Sequence, residues 1–249
     1  MGNEDGDLVD TCRPDHSVTV SSFEISIYET TNAQYAQYLN EAKANNTVTV
    51  TSETVTGTSG RWNRQEYIYL SGDDSSFPDN DCKIVYSDHT FSVKAGYENW
   101  PVTWVTWYGA KAFAEHYGFD LPREAEWEYA CRCGDQQYLY GTDDDTIDIS
   151  KANYWDTGIK HPVAVGNYPH NPYGLYDMSG NVWEWCNDWF DDYTSESATN
   201  PTGPWSGSRR ILRSGCWING DLVCRSEFRS RNNPSDRDGY VGFRVVRRP

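Results

Sequence analysis

At 249 residues the chain is long enough to bury a core without disulfide staples, and we expect one domain rather than two. Its net charge of −16 excludes the basic surface that nucleic-acid binding requires and leaves carboxylates available for Ca²⁺. An aromatic content of 15% favours an irregular, loop-rich fold over a helical bundle.

No apolar run approaches the roughly 20 residues of a membrane-spanning helix, and no signal peptide is recognisable. The chain begins abruptly at MGNEDGD, so a trimmed upstream segment is left open as the reason for the missing signal. The location is therefore undecided, and the cell surface and a phage or virus particle are both open.

The seven cysteines, an odd number, do not follow the paired spacing of a zinc site. Cys131 and Cys133 are too close in sequence to form a structural disulfide. We therefore expect most of the seven to be reduced, partly buried thiols.

The first half of the chain predicts a strand, then a helix, then a loop-rich stretch. Apolar residues alternate from Val18 to Ile27, which predicts a strand. Thr31 then caps a predicted helix with Tyr35, Tyr38 and Leu39 on its apolar face. Residues 44–100 are rich in Thr, Ser, Gly and Asp, which indicates short strands and long loops, either part of the fold or an insertion.

The second half predicts two helices and a closing strand. One helix follows Thr106 and ends at Gly118, and another lies within LPREAEWEYACRCG, which ends at Gly134. Loops continue to about Asn171, and GYVGFRVVR reads as the last strand. With no internal repeat and no linker, the simplest interpretation is a single α+β domain over residues 1–249.

The stretch YDMSGNVWEW gathers oxygen donors in a short turn. Asp177 and Glu184 supply carboxylates, and Gly180 lets a backbone carbonyl turn inward. Such a loop suits Ca²⁺, a hard cation that prefers oxygen ligands. The alternative is a turn between strands that carries two solvated acids.

Five stretches occur in this order: FEISIYETTNAQYAQYLN, PVTWVTWYGAKAFAEHYG, LPREAEWEYACR, NPYGLYDMSGNVWEWCNDWF and RSRNNPSDRDGYVGFRVV. Together they resemble the formylglycine-generating enzyme family, also called the sulfatase-modifying-factor domain. GLYDMSGNVWEW and the terminal GFR are the most specific of these matches. The resemblance implies an α+β, C-type-lectin-like fold of the formylglycine-generating-enzyme type, with little regular secondary structure and with bound Ca²⁺.

The resemblance also assigns metal ligands. One Ca²⁺ site would use the side chains of Asp177 and Glu184 and the carbonyls of Gly180 and Val182. A second would use Asn153, the Tyr154 carbonyl and Asp156, within a loop that is shorter than the family's.

Catalytic members of the family oxidise a substrate cysteine with O₂ and a Cu(I) ion, a soft metal held by two cysteines that four residues separate. Aligned from RSGCW, Cys216 falls where the family commonly has Ser, and the first copper cysteine falls on Asn219. Cys224 matches the second only if the following loop is shortened. We therefore expect no Cu(I) site and, on balance, no enzyme; an active chain would be a formylglycine-generating oxidoreductase.

Some proteins of this fold are variable proteins, in which a retroelement mutates adenines of a repeat at the C-terminus. The segment Arg213–Arg247 resembles such a repeat, because a constant scaffold alternates with positions that adenine changes can reach from Asn codons. The scaffold is Arg213, Trp217, Arg225, Arg229, Asn232, Pro234, Gly242, Phe243 and Arg244. The candidate ligand-binding residues are Cys216, Trp217, Ile218, Gly220, Asp221, Leu222, Val223, Glu227, Phe228, Ser230, Asp238 and Tyr240.

This interpretation makes a structural prediction. Apart from Cys216 and Trp217, the candidate ligand-binding residues should mostly face solvent on one face, and Arg213, Arg225, Arg229 and Arg244 should point inward to bind carboxylates and carbonyls. Trp217 and Phe228 would be apolar anchors. We expect a monomer that binds a protein or a cell-surface ligand. The alternatives are an ordinary undiversified homologue and a structural or secreted module.

Overall fold

The computed structural model describes residues 1–3, 10–77 and 79–249, and within them it contains three α-helices and thirteen short strands. The helices are α1 (Asn32–Ala44), α2 (Trp107–His116) and α3 (Glu124–Cys131). The strands of the first half are β1 (Val18–Thr19), β2 (Glu24–Ile25), β3 (Val48–Val50), β4 (Thr54–Gly57), β5 (Glu66–Tyr69), β6 (Ile84–Ser87) and β7 (Thr90–Val93). Those of the second half are β8 (Trp183–Trp189), β9 (Ala198–Thr199), β10 (Arg210–Arg213), β11 (Ser230–Asn232), β12 (Val241–Gly242) and β13 (Val246–Arg247).

The helices begin where the sequence predicts. Thr31 and Gln34 form a reciprocal capping box at the start of α1. The Thr106 hydroxyl accepts the amide N–H of Gly109 at 3.0 Å and so caps α2. Gly118 lies just beyond α2 at a φ of +76°, a left-handed conformation that glycine adopts without strain. Because these signals are local, they could be recognised from the sequence.

Two predicted strands are wrong in extent. Residues 18–27 form the two-residue strands β1 and β2, since β1 pairs with β9 in parallel and β2 pairs with β13. GYVGFRVVR is divided in the same way, because β12 pairs with β8 whereas β13 pairs with β2. In both places the chain leaves one partner for another, which alternation alone does not reveal.

The largest sheet has the order β11-β10-β8-β12. Strand β10 is antiparallel to both of its neighbours, and β12 runs parallel to β8. Three of these four strands belong to the C-terminal segment 213–247 or lead into it. Strand β8 pairs with two of them, β10 and β12, and so holds that segment in the sheet.

Tryptophans form much of the core, and their N–H groups reach backbone carbonyls. Trp107 Nε1 donates to the Cys186 carbonyl at 2.9 Å, and Trp185 Nε1 donates to the Val105 carbonyl at 3.1 Å. All seven cysteines are buried and free, as the spacing predicts. None of the helices in the described ranges combines the length and the apolar character needed to cross a bilayer.

Two buried arginines fasten the C-terminal segment to α3. Arg213 donates to Glu124 Oε1 at 3.0 Å and to Glu128 Oε2 at 2.8 Å. Arg229 donates through Nε and Nη2 to both oxygens of Glu124, at 2.8 and 2.7 Å. These four residues are at most 4% exposed, so removal of one partner leaves buried charge that is no longer balanced. Arg225, by contrast, is only half-buried.

Replacing Arg229 with Ala should lower the free energy of unfolding by about 3–5 kcal/mol, because Glu124 loses a bidentate partner inside the protein. Arg247→Ala is the matched control, since Arg247 pairs with Glu24 at the surface with 61% of its side chain exposed. That change should stay within about 0.5 kcal/mol. Urea unfolding curves measure both values. Equal, small losses in the two variants would contradict the anchoring role of Arg229.

Candidate ligand-binding surface and metal centre

The segment between the arginine anchors turns most of its candidate ligand-binding side chains outward. Gly220, Asp221 and Leu222 are exposed, at the start of a single 3₁₀ turn, Asp221–Cys224. Partly exposed positions are Ile218, Val223, Phe228, Ser230, Asp238 and Tyr240. The prediction that these residues mostly face solvent therefore holds fully for three of the nine. The other six reach solvent only in part, and Ile218, Val223, Phe228 and Tyr240 among them also pack against the core. Arg213, Arg229 and Arg244 point inward as expected.

Glu227 is a correction, because it is fully buried. Its Oε1 accepts from Asn3 Nδ2 at 2.8 Å, and its Oε2 accepts from the Ser226 hydroxyl at 2.9 Å. A buried carboxylate needs such partners to offset the loss of water. Glu227 therefore ties the segment to the rest of the protein, and the prediction that it faces solvent and contacts ligand is wrong.

Cys216 and Trp217 were also predicted to contact ligand, and they are buried, at 0% and 1% exposure. Trp217 packs edge-to-face against Phe77, with ring centroids 4.9 Å apart. Phe77 itself is partly exposed, so it covers Trp217 and presents its own ring at the surface. Sequence reasoning missed Phe77, because only the fold brings it to the C-terminal segment.

The two cysteines that suggest copper chemistry are protonated thiols in this environment. Burial raises the pKa of Cys216 to about 12 and holds that of Cys224 well above its usual range, with the nearby Cys216 adding to the effect. Asn219, where the resemblance places the first copper ligand, accepts the Cys216 S–H at 3.0 Å through its amide oxygen. An amide is a poor ligand for Cu(I), and these thiols are poorly placed to ionise.

The predicted metal centre contains more buried negative charge than its partners neutralise. Glu29, Asp177 and Glu184 are at most 7% exposed, so the alternative of two solvated acids in a turn is wrong. Arg244 donates to both oxygens of Glu184 at 2.7 Å, and Trp127 Nε1 donates to Oε2 at 2.8 Å.

The pKa values of Asp177 and Glu29 are raised by this crowding of buried carboxyl groups. Burial raises the pKa of Asp177 to about 6, and Arg244 only partly opposes it. Burial also holds the pKa of Glu29 well above its usual range, and repulsion from Asp177 and Glu184 adds to the effect. A cation among these groups would relieve the burial of like charge. No local motif linked Glu29 to the DMSGNVWE turn, so the sequence did not identify it.

One of the two predicted backbone ligands, the Gly180 carbonyl, lies against the C-terminal segment. The Ser214 hydroxyl donates to the Gly180 carbonyl at 3.0 Å and approaches the Asp177 carbonyl at 3.4 Å. Over the described ranges, no three His, Cys, Asp or Glu side chains are arranged as they stand to hold a metal ion. The donor chemistry and the charge fit Ca²⁺, which would have to share Glu184 with Arg244 and the Gly180 carbonyl with Ser214.

The second predicted metal site is less well assembled. Asn153 is buried, and its Oδ1 accepts from the Thr157 hydroxyl at 3.2 Å. The Tyr154 carbonyl accepts from the same hydroxyl at 2.8 Å. Asp156 is exposed, so its carboxylate faces solvent. The other two predicted ligand oxygens accept hydrogen bonds within the local turn.

The amino-acid sequence is similar to those of several known proteins. The chain is 36% identical over 240 residues to the serine/threonine-protein kinase pkn1 of Chlamydia caviae, covering 94% of this chain but 34% of that protein. It is 38% identical over 168 residues to the formylglycine-generating enzyme of Streptomyces coelicolor, covering 61% of this chain and 54% of the enzyme. The chain thus spans about a third of the length of the kinases it matches.

Among solved structures, Treponema denticola variable protein 1 superimposes with a TM-score of 0.69 at 25% identity, covering all of this chain and 91% of that one. The fold is therefore the C-type-lectin-like fold of the formylglycine-generating-enzyme type, as the resemblance implied. The family described as the sulfatase-modifying factor enzyme 1-like domain matches residues 1–249. On this match, the chain belongs to the sulfatase-modifying factor enzyme 1-like domain family.

Proposed function

We propose that the chain is a ligand-binding variable protein, and that residues 214–240 form its binding surface. The observation that carries this proposal is the division of roles in that segment. Buried arginines anchor the segment, while Gly220, Asp221 and Leu222 between them are exposed. Six further candidate positions reach solvent in part, and four of these also pack against the core. Exposed residues can change at little cost in stability.

The likeness to Treponema denticola variable protein 1 supports the same function. We propose that a retroelement diversifies the 3′ end that encodes the segment, that the protein is a monomer, and that its ligand is a protein or a cell-surface molecule. A template repeat near this gene that differs from the 3′ end only at adenines is the expected genomic sign. The kinase name belongs to proteins about three times as long as this chain.

A second candidate function is oxidation of formylglycine type, favoured by the relatives that are formylglycine-generating enzymes and by the proximity of Cys216 and Cys224. Copper chemistry needs thiolates that reach a substrate peptide. Both thiols are instead fully buried, and Asn219 stands where the first ligand is expected. This candidate is therefore the weaker of the two.

We also propose a structural Ca²⁺ ion at Asp177 and Glu184, with the carbonyls of Gly180 and Val182. The buried excess of carboxylates around Arg244 supports it. When bound, the ion would supply positive charge that Arg244 alone does not provide. Because Ser214 contacts the same turn, the ion would stiffen the base of the binding surface.

The binding surface should tolerate simultaneous change. A variant that carries Asp221→Asn, Leu222→Ser and Val223→Thr should differ from the parent by less than about 0.5 kcal/mol per site in the free energy of unfolding. Asp221 and Leu222 are exposed, and Thr keeps nearly the shape of the partly buried Val223. Urea unfolding curves give the comparison. A control variant, Glu227→Gln, alters a buried neighbour and should lose more. If the triple variant unfolds, the proposed function fails.

The chain should form no formylglycine on a peptide that bears the sulfatase motif, even when Cu(I) is supplied. The reason is the burial of both thiols and the amide at Asn219. Mass spectrometry of the peptide measures the aldehyde, with the Streptomyces coelicolor enzyme as the positive control. Copper-dependent product that disappears in Cys224→Ser would favour the oxidase instead.

Removal of Ca²⁺ should lower the melting temperature. EDTA should destabilise the parent, and added Ca²⁺ should restore it more effectively than Mg²⁺, which tolerates irregular oxygen sites poorly. Asp177→Asn keeps the size and removes the charge, so its melting temperature should no longer respond to EDTA. Identical melting curves for the parent with and without EDTA would exclude the ion.

A further inference from the structure

A small cavity lies where the start of α3 meets the end of β8 and the loop that follows β8. Its volume of about 100 Å³ exceeds the roughly 10–15 Å³ that a single buried water requires. Trp189, Pro201 and Pro204 form an apolar part of its wall, and Asp188 lines it from the end of β8. None of the candidate ligand-binding residues of the C-terminal segment lines this cavity.

Asp188 is a buried carboxylate that no cation neutralises. The residue is 4% exposed, and among the described residues its carboxylate makes one hydrogen bond, in which Oδ2 accepts the Glu124 backbone N–H at 2.9 Å. Within that part of the chain, Oδ1 has no donor and neither oxygen forms an ion pair. Burial raises the pKa of Asp188 to about 7, and the Glu124 carboxylate adds to the shift. A buried carboxylate is unfavourable in this state unless a donor or a cation meets it.

Tyr193 is a second side chain of the cavity wall that lacks a polar partner. Its hydroxyl is closed off from solvent and makes no hydrogen bond with any residue that the structure describes. The ring itself is well held, because the Arg229 guanidinium lies 3.8 Å from its centroid and the His16 ring packs edge-on at 4.8 Å. Buried hydroxyl groups without a partner are rare in folded proteins. Two side chains of the wall therefore have bonding capacity that the described residues leave unused.

The arginine beside the cavity is already occupied. Arg229 donates through Nε and Nη2 to Glu124 and through Nη1 to the Asp191 carbonyl at 2.9 Å. Asp191 and Asp192 line the cavity and are exposed, so they add negative charge at its mouth. Over the described ranges, no three His, Cys, Asp or Glu side chains are grouped to hold a metal ion. An organic cation therefore fits the cavity better than a metal ion does.

We propose that this cavity binds a primary ammonium group on an alkyl chain, with Asp188 as its counter-ion. A lysine side chain of another protein and a free alkylamine both carry this group. An ammonium is a compact point charge with three N–H donors, whereas a guanidinium is a planar fork that needs two acceptor oxygens. Asp188 has one free oxygen, and the apolar wall can receive the alkyl chain. This is a second binding site, and it does not depend on the binding surface proposed above.

The experiment is a titration of ¹⁵N-labelled protein with butylammonium chloride at pH 8, followed by NMR. Butanol is the matched control, since it has the same alkyl chain without the charge. Butylammonium should shift the amide signals of residues 188–193 and of Gly203 saturably, and butanol should not. A Gly-Lys-Gly peptide blocked at both ends distinguishes the two sources of the ammonium group. If the peptide also binds, the cavity admits the lysine of a partner; if only butylammonium binds, the ligand is a free amine.

Variants locate the site. Asp188→Asn keeps an acceptor for the Glu124 N–H and removes the charge, so the dissociation constant of butylammonium should rise by at least about tenfold. Asp73→Asn is the matched control, because Asp73 is exposed and does not line the cavity, and it should leave the dissociation constant unchanged. Equal shifts with butanol, no shift with butylammonium, or unchanged binding in Asp188→Asn overturns the proposal. The butanol comparison uses the parent protein and does not require the variants to fold.

Binding should also depend on pH through Asp188. The other titratable or charged residues around it are Arg123, Glu124, Glu126, Cys186 and Arg210, and the cavity wall adds Met1, His16, Asp191, Asp192, Tyr193 and Arg229. Since the pKa of Asp188 is about 7, its carboxyl is mostly protonated at pH 6 and mostly ionised at pH 8, whereas butylammonium stays charged at both. The dissociation constant should therefore be about tenfold lower at pH 8.

Histidine titrates in the same range, so the pH comparison is repeated in His16→Gln. The difference between pH 6 and pH 8 should remain in that variant. If it disappears there, the pH dependence belongs to His16, and the role given to Asp188 is wrong.

Discussion

The structure depends on three buried arginines that bind carboxylates. Arg213 and Arg229 converge on α3 through Glu124 and Glu128, and Arg244 binds Glu184 on β8. Each guanidinium is held in a planar fork, so it fixes direction as well as distance. A segment with little regular structure thereby acquires a defined path, and Gly220, Asp221 and Leu222 within it are left exposed.

Charge is distributed unevenly around these anchors. Where Arg213, Arg229 and Arg244 meet carboxylates inside the protein, each guanidinium is paired with negative charge. Around Glu29 and Asp177 carboxyl groups outnumber cations and their pKa values rise. This buried excess fits the proposed metal ion. The net charge of −16 thus has local consequences beyond solubility.

Local signals predicted the parts of the fold that are local. Thr31 and Thr106 gave the helix starts, and the DMSGNVWE and GFR motifs gave the family and the inward direction of Arg244. Strand extents were not predictable, since β1, β2, β12 and β13 are set by partners distant in sequence.

In the candidate site, too, contacts between residues distant in sequence were not predictable. Glu227 looked like its exposed neighbours, yet a contact with Asn3, more than 200 positions away, buries it. Phe77 and Glu29 reach the site only through tertiary packing, and no pattern near residues 177–184 or 213–247 indicates them. The scaffold pattern in the sequence therefore predicted most of the positions that reach solvent, but it did not predict what covers the buried ones.

The central claim is that the C-terminal segment separates a fixed scaffold from a replaceable surface. A scan of every single substitution at residues 213–247, scored by protease resistance of the displayed protein, tests it most directly. The account predicts intolerance at Arg213, Arg229 and Arg244 and broad tolerance at residues 220–223. Intolerance spread evenly along the segment, or concentrated at residues 220–223, would contradict it.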